Sequence, residues 1–432
     1  MGTMNIRECA GLARKASITL AAAATEMKNR ALREIAEALN SRSREIIAAN
    51  RADLERSDKE NLASPLMKRL KFDEGKIREV IQGIESLIAL PEPVGVTQSA
   101  TELDSGLELF RVSCPIGVIG VIFESRPDAL VQISTLCLKS GNSALLKGGS
   151  EALETNRVLA DIIITASEKA GMPAGWHHLL ETRADVKEML SLDDLIDLVI
   201  PRGSNEFVRY IMDNSNIPVL GHADGICHLY VDSGADVGMA VGIAVDSKTQ
   251  YVAVCNALET LLVHRDMAER FLPALKKEMD AKGVELIGCE RTRSIIAAAP
   301  ATEEDWKTEY LDYRLSIRVV DSLGEAIDHI NRYGSGHTDA IVTENRASAL
   351  AFMDLVDSGN VFWNCSTRFS DGFRYGLGAE VGISTNKIHA RGPVGLEGLL
   401  IYKYKLVGSG QVVADYAGGG KKFTHRKLGK AF

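Results

Sequence analysis

The stretch Gly117-Val118-Ile119-Gly120-Val121-Ile122-Phe123 runs seven residues without a polar side chain. A strand apolar on both faces belongs in a parallel sheet covered on both sides, because a half-solvated strand would alternate polar with apolar residues. Downstream the chain alternates strand with helix. Candidate strands fall at 143–147, 176–180, 196–200 and 217–220; candidate helices fall at 127–140 ending on Gly141, 150–170 ending on Gly171, 184–190 and 204–212. Four successive βα units imply right-handed crossovers and a doubly wound open sheet. Ligands of such sheets bind beyond the carboxyl ends of the strands, which singles out the turns after Phe123, Lys147 and Ile200.

Upstream, the first ninety or so residues read as helices, most clearly where Ile77, Val80, Ile81, Ile84, Leu87 and Ile88 recur at three and four, with Asp73 as N-cap and Pro91 as stop. A short alternating stretch occupies 107–113. A second βα region begins near His228 and runs to about Phe362, with candidate strands at 258–263, 284–287, 317–320 and 340–342. Strand character returns at 399–407, and the basic tail Lys421 to Lys430, KKFTHRKLGK, reads as a solvated terminus.

Composition excludes several classes. The 432 residues hold 50 Lys plus Arg against 58 Asp plus Glu, a formal charge of -8, with 45% hydrophobic and 25% charged residues and 11 Pro. Disordered, collagen-like and disulfide-scaffold chains do not have that balance. The length predicts two or three domains with ample core. The mild acidity leaves no footprint for nucleic acid, and no apolar run approaches the roughly 20 residues of a membrane span. The first twenty residues carry Arg7, Glu8, Arg14 and Lys15 among the apolar ones, unlike a secretory signal. Seven widely spaced cysteines without a C-x-x-C pair fit neither a disulfide framework nor a zinc ribbon, so a reducing cytoplasm is the expected location.

The P-loop and the G-x-G-x-x-G fingerprint are both absent; Phe123-Glu124-Ser125-Arg126-Pro127 stands where the latter would begin. Lys147-Gly148-Gly149-Ser150 instead puts a cation, two glycines and a capping Ser at a strand end, where a phosphate or ribose would fit, although spacing alone favours an ordinary capped turn. Cys255 precedes an apolar strand. A lone Cys among apolar residues is commonly inert, but a loop between two βα domains faces the cleft where cofactor and substrate would meet. His222, Asp224 and His228 match no zinc spacing and alternate across a strand, so they are not expected to bind metal together. His337, Thr338 and Asp339 lie in a Gly-rich loop that either serves a ligand or caps a helix.

The LLKGGSEA, PRGSNEF and VCNALETLLVH segments and the stretch VDSLGEAIDHINRYGSGHTDAI carry a resemblance over essentially the whole chain. In them the sequence resembles the gamma-glutamyl phosphate reductases, the glutamate-5-semialdehyde dehydrogenases of proline biosynthesis, within the aldehyde dehydrogenase superfamily. The last stretch is the most specific, with Val320, Ala326, His329, Ile330, Tyr333, Gly334, Ser335, His337, Thr338, Asp339 and Ile341 filling the family signature.

The resemblance implies an α/β, aldehyde dehydrogenase-like fold: a doubly wound parallel-sheet cofactor domain, an α/β catalytic domain and a small β oligomerisation flap. The boundaries expected are 1–100 and 115–228 for the NADP-binding domain, with 366–398 returning to it, 229–365 for the catalytic domain, and 101–114 with 399–432 for the flap. It implies reduction of L-glutamyl 5-phosphate by NADPH to the semialdehyde and phosphate through a cysteine thioester, without a metal, in a cytoplasmic homo-oligomer coupled to glutamate 5-kinase. Cys255 becomes the nucleophile and Asn256 a helper at the oxyanion; Lys147, Gly149, Ser150, Gly203 and Ser204 become cofactor ligands, with Glu309 matched to a cofactor-ribose glutamate of the wider superfamily.

Two departures narrow the resemblance. Where ordinary aldehyde dehydrogenases carry E-L-G-G-K, this chain reads Pro218-Val219-Leu220-Gly221-His222, and Val219 cannot activate water against a thioester. Ser125 stands where the superfamily has an oxyanion Asn. For an anionic substrate, Ser125, Arg126, Arg368 and His337 are the expected contacts.

Overall fold

A computed structural model describes residues 4–62, 64–124, 126–222, 224–377 and 380–432. Long helices open the chain at Ile6–Leu20, Thr25–Ser41, Ser43–Lys59 and Glu74–Ala89. The second and fourth turn an apolar stripe inward: Ala31, Leu32, Ile35 and Leu39 are buried on the second, and Ile77, Ile84 and Leu87 on the fourth, whereas the third buries Ile46 with Asn50, Asp53 and Ser57. Asp73 caps that fourth helix by accepting from Lys76 N at 3.1 Å.

The strands β1 (Thr97–Asp104) and β2 (Leu107–Pro115) form an antiparallel hairpin and lead into β3 (Val118–Phe123), all six of whose residues are buried. With β4 (Ser143–Lys147), β5 (His177–Leu180) and β6 (Leu198–Arg202) it makes a parallel sheet of order β5-β4-β3-β6. Ile122 pairs with Lys147 and Phe123 with Arg202, so the carboxyl ends of β3, β4 and β6 share one edge. Gly141, at φ +75°, lets the helix Pro127–Ser140 stop and the chain turn back into β4. The expected strand at 217–220 is reduced to a single parallel bridge, Val199 to Val219. Pro218 has no N–H to offer a ladder, and its carbonyl accepts from Val199 N at 2.9 Å.

The second half builds a seven-stranded parallel sheet of order β10-β9-β11-β8-β7-β12-β13 from β7 (Cys227–Val231), β8 (Leu258–His264), β9 (Glu285–Gly288), β10 (Ala299–Pro300), β11 (Arg314–Val320), β12 (Thr338–Val342) and β13 (Asn360–Trp363). After a short hairpin of β14 (Gly382–Ser384) and β15 (Gly392–Val394), Val381, Val394, Leu396 and Leu399 return to the core of the first sheet.

The last strands close a third, antiparallel sheet of order β16-β2-β1-β17. Here β16 (Leu400–Val407) pairs with β2, and β17 (Arg426–Leu428) pairs with β1. Three residues of the basic tail, Arg426–Leu428, therefore form an edge strand, while the tail as a whole stays largely exposed. Arg426 meets Glu102 at 2.8 Å and Lys430 meets Glu108 at 2.6 Å, so the acidic hairpin holds it. No helix among the described residues is long and apolar enough to cross a membrane.

Candidate active site

Cys255 sits in a loop tied at both ends. The loop leaves the helix Val237–Thr249 and enters β8, and Lys248 and Glu259 on either side of it form a fully buried ion pair at 2.6 Å. Asn256 Nδ2 donates to Ser370 O at 2.7 Å, and Thr367 Oγ1 donates to Asn256 O at 2.8 Å. Beneath the loop, Cys227 Sγ donates to Cys255 O at 3.2 Å. Gly225 packs against the same peptide so closely that a Cβ there would lie 2.2 Å from Cys255 O and 2.4 Å from its Cα. Asn256 thus anchors the cysteine loop to the segment before Asp371, and its amide keeps one further N–H.

Two imidazoles face the thiol: ligand atoms of His222, Cys255 and His337 all lie within 4.8 Å of one another. The rings of His222 and His337 meet edge to face with centroids 4.9 Å apart. His222 Nδ1 lies 2.9 Å from Ile383 O, and a carbonyl only accepts, so Nδ1 carries the hydrogen and Nε2 keeps its lone pair. Burial lowers the pKa of His222 and keeps it neutral. His337 is completely buried; its Nδ1 faces Thr338 Oγ1 at 2.8 Å and its Nε2 has no partner. Sequence reasoning set His222 beside Asp224 and His228, but those two go elsewhere. Asp224 pairs with Arg209 and Asn205, and His228 Nδ1 with Asp339 Oδ1 at 3.0 Å. The clue to His222 was its place at a strand end beside Gly221, after the apolar run 217–220.

The expected cofactor residues line the carboxyl edge of the first sheet. Lys147 Nζ donates to Gly148 O at 2.7 Å, and Arg56 Nη2 to Ser150 O at 3.0 Å. A Cβ on Gly149 would strike the Glu151 carboxylate at 2.0 Å, and one on Gly203 would lie 2.7 Å from Glu124 Oε2. Ser204 starts the helix Asn205–Asn214, with its N–H 3.3 Å from Glu124 Oε2. Glu309 links the two halves: it accepts from Asn205 Nδ2 at 2.6 Å, while His222 and the Gly225 backbone act on it from the cysteine side. Burial raises its pKa above the ordinary carboxylate value.

Of the expected substrate contacts, Arg368 is buried with Nε on Gln250 Oε1 at 2.9 Å, and Arg126 holds Asp128 at 3.1 Å. Ser125 lies outside the described residues. Arg202, which the sequence did not single out, lies among Arg126, Glu380, Asp128 and Cys255; burial pulls it below the usual arginine range. Burial likewise raises Glu380, whose carboxylate accepts from Gly372 N at 2.8 Å. The edge of the first sheet and the cysteine loop thus bring together a soft nucleophile, two imidazoles and several guanidinium groups, suited to covalent chemistry on an anionic compound.

Residues 2–286 match the model of the aldehyde dehydrogenase family. The chain is 71% identical over 429 residues to the gamma-glutamyl phosphate reductase of Pelotomaculum thermopropionicum, covering 99% of each chain. It is 55% identical to that of Methanococcoides burtonii, covering 96% of this chain and 95% of the relative. The crystal structure of the Thermotoga maritima gamma-glutamyl phosphate reductase superposes with a TM-score of 0.93 at 42% identity, covering 95% of this chain and all of that one. A Methanocaldococcus jannaschii glyceraldehyde-3-phosphate dehydrogenase complexed with NADP, at 16% identity and a TM-score of 0.66, shares the fold. The chain is an oxidoreductase of the aldehyde dehydrogenase fold, the architecture expected from its sequence. Within that class it belongs to the gamma-glutamyl phosphate reductase family.

Proposed function

We propose that the protein reduces L-glutamyl 5-phosphate to L-glutamate 5-semialdehyde and phosphate with NADPH, the second step of proline biosynthesis from glutamate. The observation that carries this reading is the position of Cys255, on a pinned loop beside two imidazoles and reached through Glu309 from the cofactor edge. That edge suits a dinucleotide: Lys147 stands at the end of β4, and Ser204 opens the helix Asn205–Asn214 with an N–H that meets the Glu124 carboxylate and would be offered to an anion in its place. Lys147, Gly149, Ser150, Gly203, Ser204 and Glu309 would hold it there; when bound, it supplies hydride.

His222 Nε2 takes the Cys255 proton, and the thiolate forms a bond to the acyl carbon. The carbon–oxygen bond to phosphate breaks, leaving a thioester. Once that carbon has taken the hydride the cofactor would supply, the thiohemiacetal oxyanion on Cys255 would re-form the carbonyl as the carbon–sulfur bond breaks, releasing the aldehyde and restoring the thiolate. The oxyanion of both tetrahedral species is met by the Cys255 N–H and the remaining Asn256 N–H. His337, Arg126 and Arg368 meet the phosphate and α-carboxylate. Val219, where hydrolytic relatives have a glutamate, spares the thioester from water.

All seven cysteines are unpaired, which suits a reducing cytoplasm. The edge strand β16 exposes Ile401, Tyr402, Tyr404, Leu406 and Val407, which suits a homo-oligomer formed through the third sheet. A labile acyl phosphate also suits direct supply by glutamate 5-kinase. The assay that tests the reading is reduction of NADP by glutamate semialdehyde, followed at the nicotinamide absorbance. Strict dependence on inorganic phosphate is expected; phosphate-independent oxidation would place the chain with the hydrolytic aldehyde dehydrogenases instead. Repeating it with NAD tests the preference for NADP.

A further inference from the structure

We infer that His222, Cys255 and His337 form a zinc site that caps the free thiol in the absence of substrate. Among the described residues they are the one group of three such side chains whose ligand atoms converge, all within 4.8 Å. Thiolate with two imidazoles is a borderline-soft donor set, which favours Zn²⁺ over hard cations such as Mg²⁺ or Ca²⁺. The groups that orient the donors are already in place. Ile383 O orients His222 and leaves Nε2 as a donor, and His337 is completely buried with an unpartnered Nε2. Cys255 O is fixed by the Cys227 thiol and Gly225 packs beneath, so the sulfur is held on a rigid loop.

Bond lengths of about 2.3 Å to sulfur and about 2.0 Å to nitrogen bring tetrahedral donors to about 3.5 Å apart, so the triangle contracts by about 1 Å through side-chain torsions. On binding, the Cys255 S–H bond is exchanged for a Zn–S bond and the proton passes to solvent. Three protein donors leave the fourth position to water. The sequence pointed to no metal, because the three residues lie on separate segments with no zinc spacing. The binding claim stands on this geometry alone; only its consequence, a reversible block of turnover relieved by a chelator, rests on the function proposed above.

The test uses the full chain with Zn²⁺ alone. Competition against a chromogenic chelator measures affinity and stoichiometry, and peptide mass spectrometry follows alkylation of Cys255 by iodoacetamide with and without the ion. The expected result is one ion per chain and alkylation of Cys255 slowed at least about tenfold, with His222→Ala and His337→Ala each weakening affinity by about tenfold or more and abolishing the protection. Because His337 is buried, His222→Gln at the partly exposed ligand serves as the conservative second variant, checked for native circular dichroism. Absence of stoichiometric binding, unprotected Cys255 under one bound ion, or wild-type affinity in both His222 variants overturns the inference. None of these readouts uses substrate or cofactor, so their failure leaves the reductase reading standing, and a failed reductase assay leaves the zinc site standing.

Discussion

Lys248 Nζ and Glu259 Oε2 meet at 2.6 Å with both side chains fully buried, one at the end of the helix before the cysteine loop and the other in the strand after it. Glu259 also accepts from Leu311 N at 3.3 Å, and burial raises its pKa to about 7 while lowering that of Lys248. The ion pair closes the base of the loop that presents Cys255. Glu259→Gln leaves the ammonium buried without a counter-charge and is expected to cost about 3 to 5 kcal/mol in urea unfolding. The double change Lys248→Met with Glu259→Leu is expected to recover most of that loss, since neither charge remains.

Gly225 tests how closely the loop is held. Its missing Cβ is space that the Cys255 peptide occupies, with contacts of 2.2 and 2.4 Å for any larger residue. Gly225→Ala is expected to displace the sulfur and lower kcat by about 100-fold. Steady-state kinetics beside a melting curve measure it; unchanged kcat in a folded variant would count against the packing described.

Two buried histidines set an acid limit to stability. His177 is held at a pKa of about 3 and His329 at about 2, both chiefly by burial. Their folded pKa values lie below the unfolded value of about 6.5, so the unfolded chain binds more protons as pH falls. Stability is therefore highest above pH ~6.5 and declines below it, by about 1.4 kcal/mol per pH unit for each residue until the folded pKa is reached. His329 has no partner for either ring nitrogen and packs among Trp306, His228 and Tyr333. His329→Phe is expected to flatten this slope, leaving the share of His177 and of the other histidines that burial lowers, His178 and His222, read from urea midpoints between pH 5 and pH 7.

Arg126 and Arg368 are assigned to the anionic groups of the substrate. Arg126→Ala and Arg368→Ala are expected to raise KM for glutamate semialdehyde by at least about tenfold each, the value of a charge-assisted hydrogen bond. If both leave KM unchanged, the assignment is wrong and Arg202 becomes the guanidinium to test.

Much of the fold was legible from local pattern. The strand Ser143–Lys147 and the helix Pro127–Ser140 match their expected limits, because a short run with an apolar centre bounded by Gly141 and Gly148 and a Gly-terminated helix declare themselves locally. What escaped depends on tertiary context. The inner strand β7, Cys227–Val231, carries Cys, His and Tyr, and His228 finds its partner Asp339 only once the sheet has formed. Part of the tail became a strand because Glu102 and Glu108 await it on a hairpin more than 300 residues earlier. At the site, Cys255 was found by its place between two domains and by resemblance. His222 had only its place beside Gly221 to mark it, and its tautomer, like the Arg202 guanidinium beside Cys255, needed the fold.

The central claim, that Cys255 carries the acyl group, is tested most directly by phosphate-dependent reduction of NADP in Cys255→Ala, with circular dichroism and melting matched to the unsubstituted protein. Turnover is predicted to fall by about 10⁴-fold or more, as for loss of a covalent nucleophile. Activity within about tenfold of the unsubstituted enzyme would contradict the thioester mechanism, whatever the fold.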